Sequence, residues 1–151
     1  MKISPIPALA VSGVMLLAMM SPFAVAEDVE PIVDYRQGAM SAVGGNISAV
    51  AAIVMSGADF RDNLPEHTRA LVALTEDIPA LFPEGSEHAD SDARAAIWED
   101  FEAFKSLSFD THEAARNLHE AVTAGADDAE LMSAFRVLGE SCRSCHDDFR
   151  D

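Results

Sequence analysis

The fold is decided by the C-terminal stretch DDAELMSAFRVLGESCRSCHDDFR, residues 127–150. Asp127 and Asp128 place negative charge where the N-terminal dipole of a helix favours it. Side chains suited to one buried face then recur at three- and four-residue steps, which is the period of an amphipathic helix. These side chains are Leu131, Phe135, Leu138, Cys142, Cys145 and Phe149. The stretch, segment D, is therefore predicted to form one long helix.

Three further segments carry the same helical period. Segment A spans residues 31–55, segment B spans 63–81, and segment C runs from residue 91 or 92 to about 123. Residues 82–91 form the one long irregular connection. No alternating apolar pattern indicates a strand. Four amphipathic segments with short connections predict an all-α fold, an antiparallel four-helix bundle.

Segment D contains Cys142-Arg143-Ser144-Cys145-His146, the Cys-x-x-Cys-His attachment signal for c-type haem. On a helix, Cys145 and His146 follow Cys142 by three and four residues, so the three side chains share one face. Two sulfurs can then form thioether bonds to one porphyrin while the imidazole ligates the iron. The motif predicts one covalent haem c, with His146 as the metal ligand.

Other uses of paired cysteines fit the chain less well. A thioredoxin-like site follows a strand in an α/β chain, whereas this chain shows no strand pattern. A zinc site needs a second pair of ligands, and the sequence contains only two cysteines. A disulfide across two residues would close a very small loop and stabilise little. A helical structural or thiol-redox protein without haem stays open, and absence of Soret absorption would establish it.

The N-terminus has the composition of a secretory signal peptide. Lys2 supplies positive charge, residues 8–20 are mostly apolar, and Ala24-Val25-Ala26 fits the small-residue rule for cleavage. We expect a signal peptide over residues 1–26, cleavage after Ala26, and a mature periplasmic domain over residues 27–151. A retained membrane anchor is the alternative, although the apolar run is shorter than the roughly 20 residues that span a bilayer.

The mature domain is strongly acidic. Nine basic and 26 acidic residues leave residues 27–151 with a net charge of −17 before any cofactor is counted. Such a field repels nucleic acid and anionic membrane surfaces, and it favours a basic redox partner protein. The alternative is that the acidic surface only keeps the protein soluble.

Four histidines outside the motif are predicted to face solvent: His67, His88, His112 and His119. His112 and His119 lie seven residues apart on segment C, yet two ligands without a third make a poor metal site. A di-iron bundle would need Glu-x-x-His pairs, and the sequence contains none. We therefore expect no metal apart from the haem iron.

With its haem motif at the end of the last of four helices, the chain resembles the cytochrome c′ family. Most small c-type cytochromes carry the motif near the N-terminus instead. The likeness covers the whole mature region. The matching stretches occur in the family's order: Tyr35-Arg36-Gln37-Gly38-Ala39-Met40, Gly85-Ser86-Glu87 in place of a Gly-Thr-Glu loop, Ile97-Trp98 with Phe104-Lys105, and Cys142 to His146 followed by Asp147-Asp148-Phe149-Arg150.

The resemblance implies a role for each matching residue. Arg36 and Gln37 would lie at the haem edge, with the guanidinium near a propionate. Ser86 and Glu87 would contact the haem edge from the loop. Arg150, four residues after the ligand histidine, would flank the proximal pocket. For Arg36 and Arg150 the alternative is an ordinary surface ion pair.

Met40 decides the mechanism that the resemblance implies. In the family the corresponding residue is bulky and apolar and packs over the iron without binding it. This leaves a five-coordinate, high-spin haem that admits a small diatomic gas, nitric oxide or carbon monoxide. Low-spin relatives use a methionine at about this position, which would favour an electron carrier with a Met40–His146 haem. Plain core filling by Met40 is a third alternative, and the Arg-Gln-Gly-x-Met stretch favours the high-spin form.

The resemblance also bears on assembly and activity. Family members are often homodimers through their first two helices, and the apolar residues of segments A and B allow such a contact. No general acid or base is evident beside the predicted iron site. We therefore expect that the protein is not an enzyme.

Overall fold

The computed structural model describes residues 29–151, and the predicted signal peptide lies outside the described residues. Five α-helices dominate this part of the chain, which contains no β-strand. Their bounds are Glu30–Val54 (α1), Leu64–Thr75 (α2), Ala96–Glu99 (α3), Phe101–Thr123 (α4) and Asp128–Phe149 (α5), with 3-10 turns at Arg61–Asn63 and Ile78–Leu81.

The four long helices pack side by side, which confirms the predicted antiparallel bundle. α1 packs on α2, α2 on α4 and α4 on α5, while α1 and α5 touch little. Buried side chains form two clusters. The central cluster consists of Val50, Leu64, Leu71, Ala114, Ala115, Leu118, Leu131, Phe135 and Leu138. The aromatic cluster, at the C-terminal end of α5, consists of Ile78, Phe82, Ile97, Phe104 and Phe149.

Local sequence explains where the last two long helices begin and end. The carboxylate of Asp100 accepts a hydrogen bond from the Ala103 N–H at 3.1 Å and so caps α4. Gly125 ends α4 with a φ of 73°, a left-handed conformation that costs glycine little. Asp127 then caps α5 by accepting from the Glu130 N–H at 2.9 Å.

The prediction of one continuous helix over residues 63–81 is wrong. α2 ends at Thr75, and Asp77 leaves the helical conformation with φ −137° and ψ 51°. Pro79 gives the reason, because it has no N–H to donate and its ring would clash with the carbonyl four residues earlier. The 3-10 turn that follows still buries Ile78 in the aromatic cluster.

The prediction that segment C becomes helical at residue 91 or 92 is also wrong. Ala93 instead forms an isolated antiparallel bridge with Arg150. α3 begins only at Ala96, and Asp100 separates it from α4 with φ −132° and ψ 66°. An N-cap residue adopts a non-helical conformation, so the capping role of Asp100 interrupts the helix.

α1 has an apolar surface on the outside of the bundle. By length and composition alone, α1 is long and apolar enough to span a membrane, with a mean hydropathy of 1.3. No other helix in residues 29–151 meets this criterion. In the fold it forms a wall of the bundle, with Val33 and Val50 buried. Most of its other side chains are partly or fully exposed, including Tyr35 at 70%.

The two N-caps of α5 and α2 offer a matched pair of substitutions. Asp127→Ala removes a side-chain hydrogen bond to the first turn of α5 and is expected to lower the free energy of unfolding by about 1 kcal/mol. Asn63 occupies the same position on α2 without a side-chain cap bond, so Asn63→Ala is expected to cost less than about half as much. Urea unfolding of both variants checks this, and equal losses would contradict it.

Candidate haem site

The Cys-x-x-Cys-His residues lie near the C-terminal end of α5. Cys142 packs against the central cluster and Cys145 against the aromatic cluster. Both thiols are free and half-buried. His146 follows on the exposed side of the same turn. The two sulfurs thus lie along one side of α5, at the junction of the two clusters.

Burial raises the pKa of both thiols. The pKa of Cys145 rises to about 11, and the neighbouring Cys142 and Asp148 add to the effect of burial. The pKa of Cys142 rises for the same main reason. Catalytic dithiols need the opposite shift, because the thiolate is the reactive form. The thiol-redox alternative therefore gains no support from this site.

His146 is exposed as a whole residue, but partial loss of hydration has the complementary effect on its imidazole. It lowers the pKa of the imidazole, the positive charge of Arg150 lowers it further, and Asp147 opposes both effects. The neutral imidazole is therefore the favoured form at neutral pH. This is the form whose ring nitrogen can bind a metal ion.

α1 contributes apolar side chains to the same two clusters. Met40 packs against the aromatic cluster, as Cys145 does, and Val43 and Ile47 pack against the central cluster, as Cys142 does. Their three- and four-residue spacing places them on one stripe of α1. Because α1 and α5 touch little, the seam between them suits a flat apolar group that lies along the two cysteines.

Arg36 is a buried cation, so the alternative that it forms a surface ion pair is wrong. Its side chain is 3% exposed. The guanidinium donates to the Oγ and the carbonyl oxygen of Ser86, both at 3.3 Å, and to the Oγ of Ser91 at 2.8 Å. It also lies 4.7 Å from the ring centre of Phe82. Arg36 thereby fastens the irregular connection to α1.

The charge of Arg36 has only neutral partners within residues 29–151. None of the ion pairs there includes it, and burial lowers the pKa of its guanidinium. A buried charge without a counterion is costly. An anionic group from outside the protein chain would therefore be stabilised here, and a haem propionate has that charge.

The other residues predicted at the haem edge divide into two groups. Gln37 donates its amide N–H to the carbonyl of Asp90 at 2.6 Å, and Ser86 is buried beside Arg36. Glu87 is exposed and forms no hydrogen bond or ion pair within the described residues. Arg36 and Gln37 therefore both bind the irregular connection from α1, Arg36 at Ser86 and Gln37 at Asp90, whereas Glu87 takes no part in these bonds. Contact of all four with haem stays a prediction.

Arg150 lies beside His146 and also forms the surface ion pair that was its alternative role. Its guanidinium is 3.2 Å from the carboxylate of Asp92, and its backbone N–H donates to the His146 carbonyl at 3.1 Å. Its side chain is exposed.

Sequence reasoning missed the contacts of Ser91 and Trp98 in this region. The sequence predicts only a possible helix start at Ser91, but the Oγ of Ser91 accepts a hydrogen bond from Arg36 across 55 residues of sequence. Trp98 donates its indole N–H to the Pro83 carbonyl at 2.9 Å and stands 6.1 Å from the Phe82 ring centre. Trp98 was visible only as part of a matching stretch. No local pattern marks Ser91.

All four histidines predicted to face solvent are half-buried, which corrects the prediction: His67, His88, His112 and His119. The Nδ1 of His119 lies 2.8 Å from the Thr68 hydroxyl, and the Nδ1 of His112 lies 3.2 Å from the Thr75 hydroxyl. These pairs lie between α2 and α4, where seven-residue spacing on both helices brings them into register. No group of three metal-ligating side chains occurs in the part of the chain described by the structure.

The residues of the seam fit one haem c. Two half-buried, protonated thiols lie three residues apart, a neutral imidazole follows them, and an apolar stripe of α1 packs against the same two clusters. The network of Arg36 adds a positive charge at the same end of the bundle. This arrangement matches a large apolar ring with anionic substituents.

Known proteins resemble the chain over nearly its whole described length. A family model described as Cytochrome C′ matches residues 31–150. A cytochrome c′ from Pararhodospirillum photometricum is 36% identical over 123 residues, which cover 81% of this chain and 98% of the relative. A cytochrome c-554 from Cereibacter sphaeroides is 33% identical over 153 residues, which cover 97% of both chains.

A solved structure shows the same bundle. It is a nitric oxide complex of a variant cytochrome c prime from Alcaligenes xylosoxidans, 29% identical in sequence. The match has a TM-score of 0.75 and covers 83% of this chain and 98% of the other. All the residues predicted to form the site lie within the region matched by the family model.

Proposed function

Because the chain belongs to the cytochrome c′ family, we propose that it is a periplasmic, five-coordinate high-spin haem protein that binds nitric oxide or carbon monoxide. The observation that carries this proposal is the apolar stripe of Met40, Val43 and Ile47 on α1, which packs against the same two clusters as the cysteines and offers no hydrogen bond to a ligand.

The chain is a c-type haem protein with one covalently attached haem c, as its family has. We infer that Cys142 and Cys145 form the thioether bonds and that His146 provides the ligand to the iron. When bound, the haem supplies an iron that changes oxidation state and takes up a small ligand. Arg36 and Gln37 would orient its propionate side.

Met40, Val43 and Ile47 would present apolar side chains to a haem attached at Cys142 and Cys145. Water and dioxygen gain stability from hydrogen bonds, which these three side chains do not offer. Neutral nitric oxide and carbon monoxide depend less on hydrogen bonds, so their binding is weakened less in such surroundings. None of the three side chains can move a proton, so we propose a binding role and not an enzymatic one.

The gas named in a solved structure supports this choice of ligand. The Alcaligenes xylosoxidans protein was determined as a nitric oxide complex, and its fold matches 83% of this chain. Nitric oxide is therefore our first candidate ligand and carbon monoxide the second.

A low-spin electron carrier with Met40 and His146 both on the iron is the second candidate function. A thioether can ligate haem iron, and Met40 packs against the same cluster as Cys145. The net charge of −17 in residues 27–151 would favour a basic redox partner. A relative called cytochrome c-554 aligns over 97% of this chain, so family membership alone does not choose between the two functions.

Met40→Ala separates the two candidates. We expect high-spin spectra from both the reduced wild-type protein and the reduced variant. Carbon monoxide should bind about tenfold faster to the variant, if the crowding removed is worth about 1.4 kcal/mol. Stopped-flow absorption measures both properties. Sharp low-spin bands in the wild type that vanish in the variant would establish the electron carrier instead. Met55→Ala, at the exposed far end of α1, is the matched control.

We also propose export, with a signal peptide over residues 1–26 cleaved after Ala26 and one domain over residues 27–151. Covalent attachment supports a periplasmic location, because it retains the haem in a compartment that has no haem supply. The apolar run and small-residue cleavage pattern of the N-terminus agree with this.

A homodimer through α1 and α2 is proposed on the basis of the apolar outer surface of α1. A groove between these helices continues to the 3-10 turn before residue 82. Its apolar lining consists of Pro31, Ile32, Tyr35, Ala39, Ala73, Leu74, Ala80, Leu81 and Pro83. Burial of this surface against a second copy would remove it from water, which favours association.

A further inference from the structure

Residues 92–94 pair with residues 149–151 in a short antiparallel contact that we call the C-terminal clasp. The N–H of Arg94 donates to the carbonyl of Phe149 at 3.0 Å. The N–H of Asp151 donates to the carbonyl of Asp92 at 2.9 Å. The clasp thus joins the end of α5 to the segment that leads into α3.

Two ion pairs cross the clasp in opposite directions. The Nε of Arg94 lies 2.9 Å from the carboxylate of Asp151, and the Nη2 of Arg150 lies 3.2 Å from the carboxylate of Asp92. All four side chains are at least 40% exposed. Salt therefore screens both pairs, and the clasp can open without burying an unpaired charge.

The clasp also provides hydrogen-bond donors for carbonyl groups at the C-terminus of α5. A helix leaves its last four carbonyls without intrahelical partners. In α5, the Asp147 carbonyl accepts from the Nη1 of Arg94 at 2.8 Å, and the Phe149 carbonyl accepts from the Arg94 N–H. The turn that contains His146 is therefore held from outside the helix, and opening of the clasp would allow it to fray.

Covalent and packing contacts secure the other side of this turn. Cys145 directly precedes His146, and its thioether bond would tie the chain to the porphyrin. Phe149 is buried 5.3 Å from the ring centre of Phe104. Of the contacts that fix the backbone around His146, only those of the clasp are exposed and sensitive to salt.

We propose that Asp92, Arg94 and Asp151 are positioning residues for His146: through the C-terminal clasp they would determine how firmly the imidazole stays on the iron of a bound haem when that iron takes up a gas. This inference rests on the proposed function. With the clasp closed, the last turn of α5 would hold the imidazole in place for a bound haem. With the clasp open, the turn gains freedom and the imidazole leaves more readily.

The double variant Asp92→Asn/Asp151→Asn tests this in the haem-loaded protein. It removes both ion pairs and keeps the volume of both side chains. Electron paramagnetic resonance of the ferrous protein with nitric oxide reports the ratio of protein with His146 off the iron to protein with it on. We expect this ratio to rise roughly threefold to tenfold, the range that two exposed ion pairs can supply. High salt should move the wild type, but not the variant, in the same direction.

A second measurement does not need the gas. Resonance Raman of the ferrous protein reports the iron–imidazole stretch, which we expect to broaden and move to lower wavenumber in the double variant. An unchanged ratio and an unchanged stretch in a protein that binds haem and gas would overturn the positioning role alone. A haem-loaded protein that takes up no gas would instead contradict the proposed function, and its iron–imidazole stretch would still test the clasp.

Asp128→Asn is the matched control. It removes the exposed ion pair between Arg61 and Asp128, which links the start of α2 to the start of α5 at the other end of the bundle. We expect a comparable small change in urea stability and no change in the position of His146. An equal change in the ratio would mean that general loosening acts on His146, and this would also overturn the proposal.

Discussion

Replacement of Cys142 and Cys145 by alanine is expected to abolish covalent haem attachment completely. Each thioether bond needs a sulfur, and the chain contains no other cysteine to supply one. The two side chains pack against different clusters, Cys142 against the central and Cys145 against the aromatic cluster. The double variant therefore has no sulfur at either cluster to which a haem could be attached. Haem staining of the denatured protein after electrophoresis measures the loss.

A residue between the cysteines and alkylation of the wild type supply the controls. Ser144→Ala changes an exposed residue between the cysteines and should leave haem staining at the wild-type level. In the wild type, iodoacetamide under denaturing conditions should label neither cysteine, since both sulfurs are in thioether bonds. Full alkylation of both thiols, or haem that stays bound after acid–acetone extraction of the double variant, would disprove covalent attachment at these residues.

Arg36→Ala is expected to have the largest effect on stability among the residues of the site, with a loss of about 3 kcal/mol in the free energy of unfolding. The substitution removes charged hydrogen bonds to Ser86 and Ser91 and leaves the buried Ser86 carbonyl without its donor. It also removes the guanidinium from the face of Phe82. Urea unfolding followed by tryptophan fluorescence measures the change, and Trp98 lies in the affected region.

Two further substitutions show whether geometry or charge accounts for the loss. Arg36→Lys keeps the charge but cannot form the same fan of hydrogen bonds, so we expect it to recover less than half of the loss. Arg136→Ala removes an exposed arginine with no ion pair among the described residues and should change stability by no more than about 0.5 kcal/mol. Equal effects of Arg36→Ala and Arg136→Ala would contradict the buried network.

Sequence reasoning located the helices well where their signals were local. Leu131, Phe135 and Leu138 mark the buried face of α5 because helical neighbours lie three and four residues apart. It failed at residues 76–81 and 91–95, where the apolar period continues although the helix does not. In the first case, Pro79 is a local signal in the sequence that the helix ends. In the second, the pairing of Ala93 with Arg150 is a contact between distant parts of the chain.

The sequence by itself determined the helical class of the bundle and the motif for haem attachment, because both depend on residues within one or two helical turns of each other. Only the tertiary structure decided that Arg36 is buried, that Met40 packs against the same cluster as Cys145, and that a clasp fastens the turn of His146. The hydrogen bonds of Arg36 span 50 and 55 residues, and that of Arg94 to Asp147 spans 53. Such partners leave no periodic signal, since they meet only when the helices have packed.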